Sequence, residues 1–273
     1  MGKGSFVIAI TPTGREVTAN IERSPQVLIS GASGSGKTEA VNRLLFGVTT
    51  QYADNDRLGV ATVILDPKAV GYLPWRRHAY IFDNPRDFLR VGNALANDAE
   101  RRYQRLKDLG TSVFVPDEST PRVTIVLDEC PDIFGSTELT KAQISELQKV
   151  YTRLSNKARG CGYTIVYATQ NPLVDGGIPS AIRNNCSNRM VFRLSSPEFA
   201  KAATADRVEE ANPVLIDPRM PGDGFYLTDD TGGYYERGRV LRLSDRERDE
   251  TLARIPGRPY LFALDFDNEE YRG

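Results

Sequence analysis

Eight consecutive residues constrain this chain more than any others: Gly31-Ala32-Ser33-Gly34-Ser35-Gly36-Lys37-Thr38. An apolar run, Val27-Leu28-Ile29, leads into them, and a helical pattern from Glu39 to Tyr52 follows. Strand, glycine loop and helix in that order form the phosphate-binding P-loop, G-x-x-x-x-G-K-[ST]. The glycines let backbone N–H groups turn inward around an anion, and the helix N-terminus adds partial positive charge. In that geometry Lys37 reaches the β- and γ-phosphates and the Thr38 hydroxyl can ligate Mg²⁺. The sequence therefore assigns Gly31, Ala32, Ser33, Gly34, Ser35, Gly36, Lys37, Thr38 and the adjacent Glu39 to binding ATP.

The rest of the chain narrows the setting. Its 273 residues suffice for one large α/β domain, and no repeat, low-complexity stretch or long linker divides it. No apolar run approaches a membrane span, and Met1-Gly2-Lys3-Gly4 has no signal-peptide core, so a cytoplasmic location without membrane insertion is expected. Cys130, Cys161 and Cys186 lack metal-ligand spacing and suit free thiols. The lone His78 excludes a histidine-based metal site or hydrolase triad from this chain alone, and it is expected as an ordinary strand residue. Net charge is −1, yet Lys149, Arg153, Lys157, Arg159, Arg183, Arg189 and Arg193 stand against the single acid Asp175 between positions 149 and 193. Such a basic zone fits either a local polyanion contact or solvated helix faces.

Phe6–Ile10 and Glu16–Ile21 alternate as strands around a turn at Thr11-Pro12-Thr13-Gly14. Apolar runs at Val60–Leu65, Ala79–Phe82, Val123–Leu127, Thr164–Tyr167 and Met190–Leu194 read as buried strands. Between them, Asn84-Pro85 opens a helix expected to stop at Gly110, and Thr140–Ala158 is helical with Lys149, Arg153 and Lys157 on one stripe. Strands at Phe225–Leu227 and Arg237–Leu243 and a helix at Asp245–Ile255 complete the pattern. Strands alternating with helices predict an α/β fold, a mainly parallel sheet covered on both faces, with ligands beyond the carboxyl ends of the strands.

Those strand ends carry the chemistry. After Val123–Leu127 come Asp128 and Glu129, the Walker B pattern: the aspartate holds Mg²⁺ and the glutamate polarises the attacking water. After Thr164–Tyr167 come Ala168-Thr169-Gln170, where Gln170 is placed to contact the γ-phosphate or the lytic water. After Val60–Leu65 come Asp66-Pro67-Lys68, which fit a nucleotide-edge role or a simple Asp-Pro turn.

In this order the motifs resemble the motor domain of FtsK/SpoIIIE DNA translocases, within the wider HerA-like group of P-loop ATPases. The resemblance also rests on Gly14-Arg15-Glu16-Val17, Glu100-Arg101-Arg102-Tyr103, Ala158-Arg159-Gly160-Cys161-Gly162, Arg193-Leu194-Ser195-Ser196 and Gly222-Asp223-Gly224. It implies a recA-like fold and a homo-hexameric ring, with ATP between neighbours and double-stranded DNA in the pore. It implies Lys37, Glu129 and Gln170 as catalytic, Thr38 and Asp128 as metal ligands, and Arg159 as an arginine finger in the adjacent subunit's pocket, with Arg189 and Arg193 in reserve. The segment Asn171–Asn185 resembles the loop by which these motors approach DNA. On this reading residues 1–24 form a β-hairpin packed on the motor, 25–256 the motor domain, and 257–273 an acidic, aromatic tail that is either a docking strand or a loose end.

The chain departs from large family members, which carry membrane spans before the motor and a winged helix after it. It resembles instead the compact members of actinobacterial plasmids, integrated elements and phages, which implies transfer, replication or packaging. Two other functions compete: ATP-driven protein transport, and a nucleotide-gated DNA-binding subunit with little turnover.

Overall fold

The computed structural model describes residues 4–56, 59–173 and 177–265. Its strands are β1 (Ser5–Ile10), β2 (Glu16–Asn20), β3 (Gln26–Ser30), β4 (Val60–Leu65), β5 (Ala79–Phe82), β6 (Arg122–Leu127), β7 (Tyr163–Thr169), β8 (Asn188–Phe192), β9 (Asp223–Leu227) and β10 (Glu236–Val240). Its helices are α1 (Lys37–Asp56), α2 (Pro85–Asp108), α3 (Cys130–Phe134), α4 (Lys141–Lys157), α5 (Ser180–Asn185), α6 (Pro197–Ala203) and α7 (Asp245–Leu252). All ten strands join one sheet in the order β2-β1-β10-β9-β8-β3-β7-β6-β4-β5. From β8 to β5 every pairing is parallel, while β9, β10, β1 and β2 extend the sheet antiparallel.

Strands buried on both faces demand a helical layer on each side, and the two cores divide that way. Val27 and Ile29 pack with Val41, Leu44 and Val48 of α1, whereas Leu28 points to the opposite core with Phe88, Val91 and Leu95 of α2 and Leu147 and Leu154 of α4. The alternation along β3 is the two-residue period of a strand sandwiched between helices. Local signals set the helix starts. Asn84 accepts the Arg86 N–H at 3.0 Å, and Thr140 and Gln143 form a reciprocal capping box at α4.

Several local expectations shift. The last long strand stops at Val240, and α7 ends at Leu252 rather than Ile255. His78 lies in the turn closed by its N–H on the Trp75 carbonyl at 2.7 Å, just before β5, and not within a strand. Among the described residues the tail folds back on its own chain: Arg258 donates to the Arg76 and Ala79 carbonyls and stacks over Tyr80 at 4.4 Å. Tyr80 in turn donates to the Pro259 carbonyl, and Leu261 and Ala263 are buried in the α2 core. Up to Asp265 the tail thus covers the sheet's β5 edge, which would otherwise present unpaired strand groups. The remaining tail positions lie outside the described residues.

Glu100-Arg101-Arg102-Tyr103 is largely a scaffold. Arg102 is buried and donates to Asp98 Oδ2 at 2.6 Å, the Pro121 carbonyl at 2.8 Å and the Cys161 carbonyl at 3.3 Å. Tyr163 at the start of β7 donates to the same Asp98 oxygen at 2.6 Å, so one cluster ties α2 to the amino ends of β6 and β7.

Candidate nucleotide site

Parallel register brings the strand ends to one level. Ser30 lies opposite Thr169, Leu127 opposite Tyr167, and Leu65 opposite Leu127. The residues that follow β3, β4, β6 and β7 therefore meet at one sheet edge. They line a cavity of about 520 Å³ that includes Gly34, Gly36, Lys37, Thr38, Glu39, Asp66, Tyr72, Asp128, Glu129 and Gln170.

The P-loop is held by its own backbone. Gly31 N–H donates to the Thr169 carbonyl at 3.1 Å, and Ala32 N–H to the Arg193 carbonyl at 2.8 Å. Gly36 has φ 107°, and a Cβ there would stand 2.6 Å from the Gly222 nitrogen, so the position excludes any side chain. Gly222 N–H in turn donates to the Ser35 carbonyl at 2.8 Å, which gives the Gly222-Asp223-Gly224 motif a physical role as the P-loop's backing. Ser33, Gly34 and Thr38 are exposed and Ser35 is buried. Glu39 reaches across to accept the Leu243 N–H, so its carboxylate fixes the chain after β10 even though it borders the cavity.

Lys37 Nζ stands 3.3 Å from Glu129 Oε2, and both side chains are about nine-tenths buried. Gln170 closes on the same carboxylate: its side-chain amide lies 2.6 Å from Glu129 Oε2 and its backbone N–H 3.2 Å from Oε1. Glu129 adopts φ 58°, ψ 64°, left-handed backbone that a non-glycine residue takes only under constraint. Asp128 is also occupied: Oδ1 accepts the Glu129 N–H at 3.0 Å and Oδ2 accepts the Tyr72 hydroxyl at 2.7 Å. Burial and the Asp128 charge push the Tyr72 phenol well above its ordinary value, so it remains an O–H donor. Burial likewise raises the Asp66 carboxyl, with the Asp128 charge adding to the effect.

Two buried carboxylates on adjacent strand ends beside an exposed threonine hydroxyl are hard oxygen donors of the kind Mg²⁺ takes. The donor set present at Thr38 and Asp128 thus fits the metal, with Asp66 close to Asp128. Tyr72 was not singled out by sequence reasoning, and Asp66, for which a nucleotide-edge role and a simple turn both stood open, lines the cavity. The 3₁₀ turn Val70–Trp75 that delivers Tyr72 has no periodic signal, and its start depends on left-handed Ala69, φ 51°. The position of Asp66 at a strand end was the available clue.

Arg159 is not in this cavity. It is exposed in the turn Ala158–Cys161 ahead of β7, at the opposite end of the sheet from Gln170. Six residue steps of β7 alone place these ends ~20 Å apart. That distance keeps Arg159 out of reach of this chain's own cavity. Of the reserve arginines, Arg189 is buried and donates to the Ala203 and Arg183 carbonyls at 2.8 and 2.7 Å, which fixes it within the fold. Arg193 follows β8 on the P-loop edge and is partly buried. In the basic stripe on α4, Lys157 pairs with Glu100 and lies over Tyr103, Lys149 pairs with Glu146 at 3.8 Å, and Arg153 is exposed. Within the Asn171–Asn185 segment, Arg183 donates to the Pro172 carbonyl at 2.8 Å and Ile178 is buried, while positions 174–176 lie outside the described residues.

A strict P-loop and Asp-Glu at the carboxyl edge of this parallel sheet define a recA-like P-loop ATPase fold. The chain belongs to the FtsK/SpoIIIE family, whose sequence pattern matches residues 2–212. DNA translocase SftA of Bacillus subtilis (strain 168) is 25% identical over 262 residues, 89% of this chain and 25% of that protein. DNA translocase SpoIIIE of the same organism is 26% identical over 203 residues, 67% of this chain and 24% of that protein. The chain therefore spans about a quarter of the length of these relatives. Among solved structures, the pCW3 conjugation coupling protein TcpA superposes with a TM-score of 0.77 at 17% identity, covering 92% of this chain and 70% of TcpA. The cytoplasmic domain of the type VII secretion ATPase EccC of Thermomonospora curvata gives 0.73 at 17% identity, covering 94% of this chain and 32% of that one. Among the described residues no helix is long and apolar enough to cross a membrane.

Proposed function

We propose that this chain is an ATP-hydrolysing motor that moves double-stranded DNA, working in the cytoplasm as a homo-hexameric ring with nucleotide between neighbours. The observation that carries the reading is the convergence of Lys37, Asp128 and Glu129 in one cavity, in a chain of the FtsK/SpoIIIE family. The names of the curated relatives, DNA translocases, favour DNA over protein as cargo. The fold does not decide between them, because EccC shares it. Resemblance to compact family members makes a plasmid, integrated element or phage the setting we propose.

The roles follow from position. Backbone N–H groups of Ser33, Gly34 and Gly36 and of the start of α1 face the phosphates, those of Gly31 and Ala32 being held by the Thr169 and Arg193 carbonyls, and Lys37 exchanges Glu129 for phosphate oxygens when ATP binds. Thr38 and Asp128 would hold Mg²⁺, with Tyr72 fixing the Asp128 carboxylate. When bound, the metal neutralises charge on the phosphate oxygens. Glu129 accepts the proton of the attacking water. Arg159, exposed at the far end of the sheet, supplies charge to the site of a neighbouring copy.

ATP turnover measured with and without linear duplex DNA tests this reading. A many-fold rise with duplex is expected, fading steeply as salt increases because phosphate contacts release counterions. Arg159→Ala should lose on the order of 10³-fold in turnover. Mixing it with Lys37→Ala should restore part of that, because each protein supplies the half the other lacks. A rate indifferent to duplex but raised by peptide would transfer the chain to protein transport, and a mixture that stays inactive would rule out the shared site.

A further inference from the structure

Glu129 is the most restrained acid of the site. Three donors converge on its carboxylate: the Gln170 backbone N–H on Oε1 at 3.2 Å, and the Gln170 side-chain amide and Lys37 Nζ on Oε2 at 2.6 and 3.3 Å. Its backbone is held left-handed at the start of α3, immediately before Cys130-Pro131. A general base needs a lone pair aimed at water, and donors on both oxygens weaken it and fix its direction. ATP removes only one of the three, since Lys37 turns to the phosphates. The other two belong to Gln170.

We infer that Gln170 is a positioning residue that restrains Glu129, so that turnover requires Gln170 to withdraw as well as ATP to bind. This rests on the reading of Glu129 as the base. It differs from a role for Gln170 at the phosphate itself, because the side-chain N–H is directed at Glu129. The segment after Gln170 is built to carry it. Thr169 Oγ1 donates to the Asn171 carbonyl at 2.7 Å and accepts the Asn171 N–H at 3.0 Å, and Asn171 Oδ1 accepts the Leu173 N–H at 3.0 Å. Arg183 of α5 holds the Pro172 carbonyl at 2.8 Å. Displacement of residues 171–173 by a partner therefore pulls Gln170, and the base is released at the moment the partner engages.

Two measurements test the restraint, one of them independent of catalysis. In the nucleotide-free protein, amide hydrogen exchange at Gln170 should quicken roughly 10–100-fold in Glu129→Ala, the loss expected for one hydrogen bond to a charged acceptor. Unchanged exchange would mean the contact does not hold Gln170, and the inference falls whatever the ATPase does. In the second, Gln170→Ala should raise ATP turnover several-fold without DNA and bring the stimulation by duplex DNA close to unity, while Gln170→Asn, one methylene shorter, falls between it and wild type. Turnover that instead drops in Gln170→Ala, with and without DNA alike, would assign Gln170 to the phosphate or the water and overturn the restraint. A wild type with no turnover overturns the hydrolysis reading, and hydrogen exchange then decides the restraint alone.

Discussion

Glu129→Gln should lower ATP turnover by on the order of 10²–10³-fold while leaving nucleotide binding intact. The substitution keeps the shape of the side chain but only one acceptor oxygen, so one of the two Gln170 contacts is lost while the backbone around β6 keeps its packing. It removes the basic lone pair and the negative charge. Lys37 is then released from its 3.3 Å partner, and its ammonium is free for the phosphates before ATP arrives. Binding of a fluorescent ATP analogue should accordingly tighten modestly as hydrolysis is lost. Single-turnover hydrolysis and equilibrium binding, measured on the same preparations, separate the two effects. Unchanged turnover would remove Glu129 as the base and favour a nucleotide-gated subunit. Turnover and binding lost together would mean that the Lys37–Glu129 pair is needed to shape the pocket.

Arg102→Ala should destabilise the protein by about 3–5 kcal/mol, the usual cost of stranding one half of a buried ion pair. Asp98 would keep the Tyr163 hydroxyl on Oδ2 and the longer, half-exposed Arg101 contact on Oδ1 at 3.4 Å, and the Pro121 and Cys161 carbonyls would lose their Arg102 donor. The guanidinium also stacks at 4.9 Å over Tyr163 and 5.4 Å over Phe114, so the loop before β6 loses packing as well. Arg102→Lys should recover little, because an ammonium cannot serve three acceptors in one plane or stack on two rings. Urea unfolding measures the loss. A shift below about 1 kcal/mol would place Arg102 with ordinary surface arginines. The nucleotide affinity of the folded fraction should remain at the wild-type value, since the cluster lies at the amino ends of the strands and the P-loop at the carboxyl ends.

Much of the parallel half was legible from the residues. Val60–Leu65 and Ala79–Phe82 are strands over those same spans, and Asn84 caps the helix that Pro85 begins. These succeed because continuous apolar runs and capping chemistry are local. The rule that ligands gather beyond parallel strand ends then places Asp128, Glu129 and Gln170 on the P-loop edge from sequence alone. The antiparallel half was less visible. Ala9 pairs with Val240 across most of the chain's length, so the N-terminal hairpin and the late strands join one sheet through a contact that no local pattern marks.

Within the site, sequence placed residues at an edge but not in each other's reach. The Gln170–Glu129 contact depends on a left-handed glutamate, which propensity disfavours and only the surrounding packing enforces. Tyr72 arrives on a short 3₁₀ turn containing Pro74, without the periodicity that flags longer elements. Glu39 borders the cavity as the P-loop pattern placed it, and its contact with the distant Leu243 N–H is one that no local pattern marks. Up to Asp265 the tail packs on Tyr80 and α2 of its own chain, a contact that its sequence does not mark.

The central claim is that ATP hydrolysis at the Lys37–Glu129 cavity drives movement along duplex DNA. It is tested most directly by displacement of a third strand from a linear duplex, followed in real time with ATP. Wild type should strip the third strand with ATP but not with a non-hydrolysable analogue, and Glu129→Gln should bind the duplex without stripping it. Robust ATP turnover on the same duplex with the third strand left in place would contradict the account.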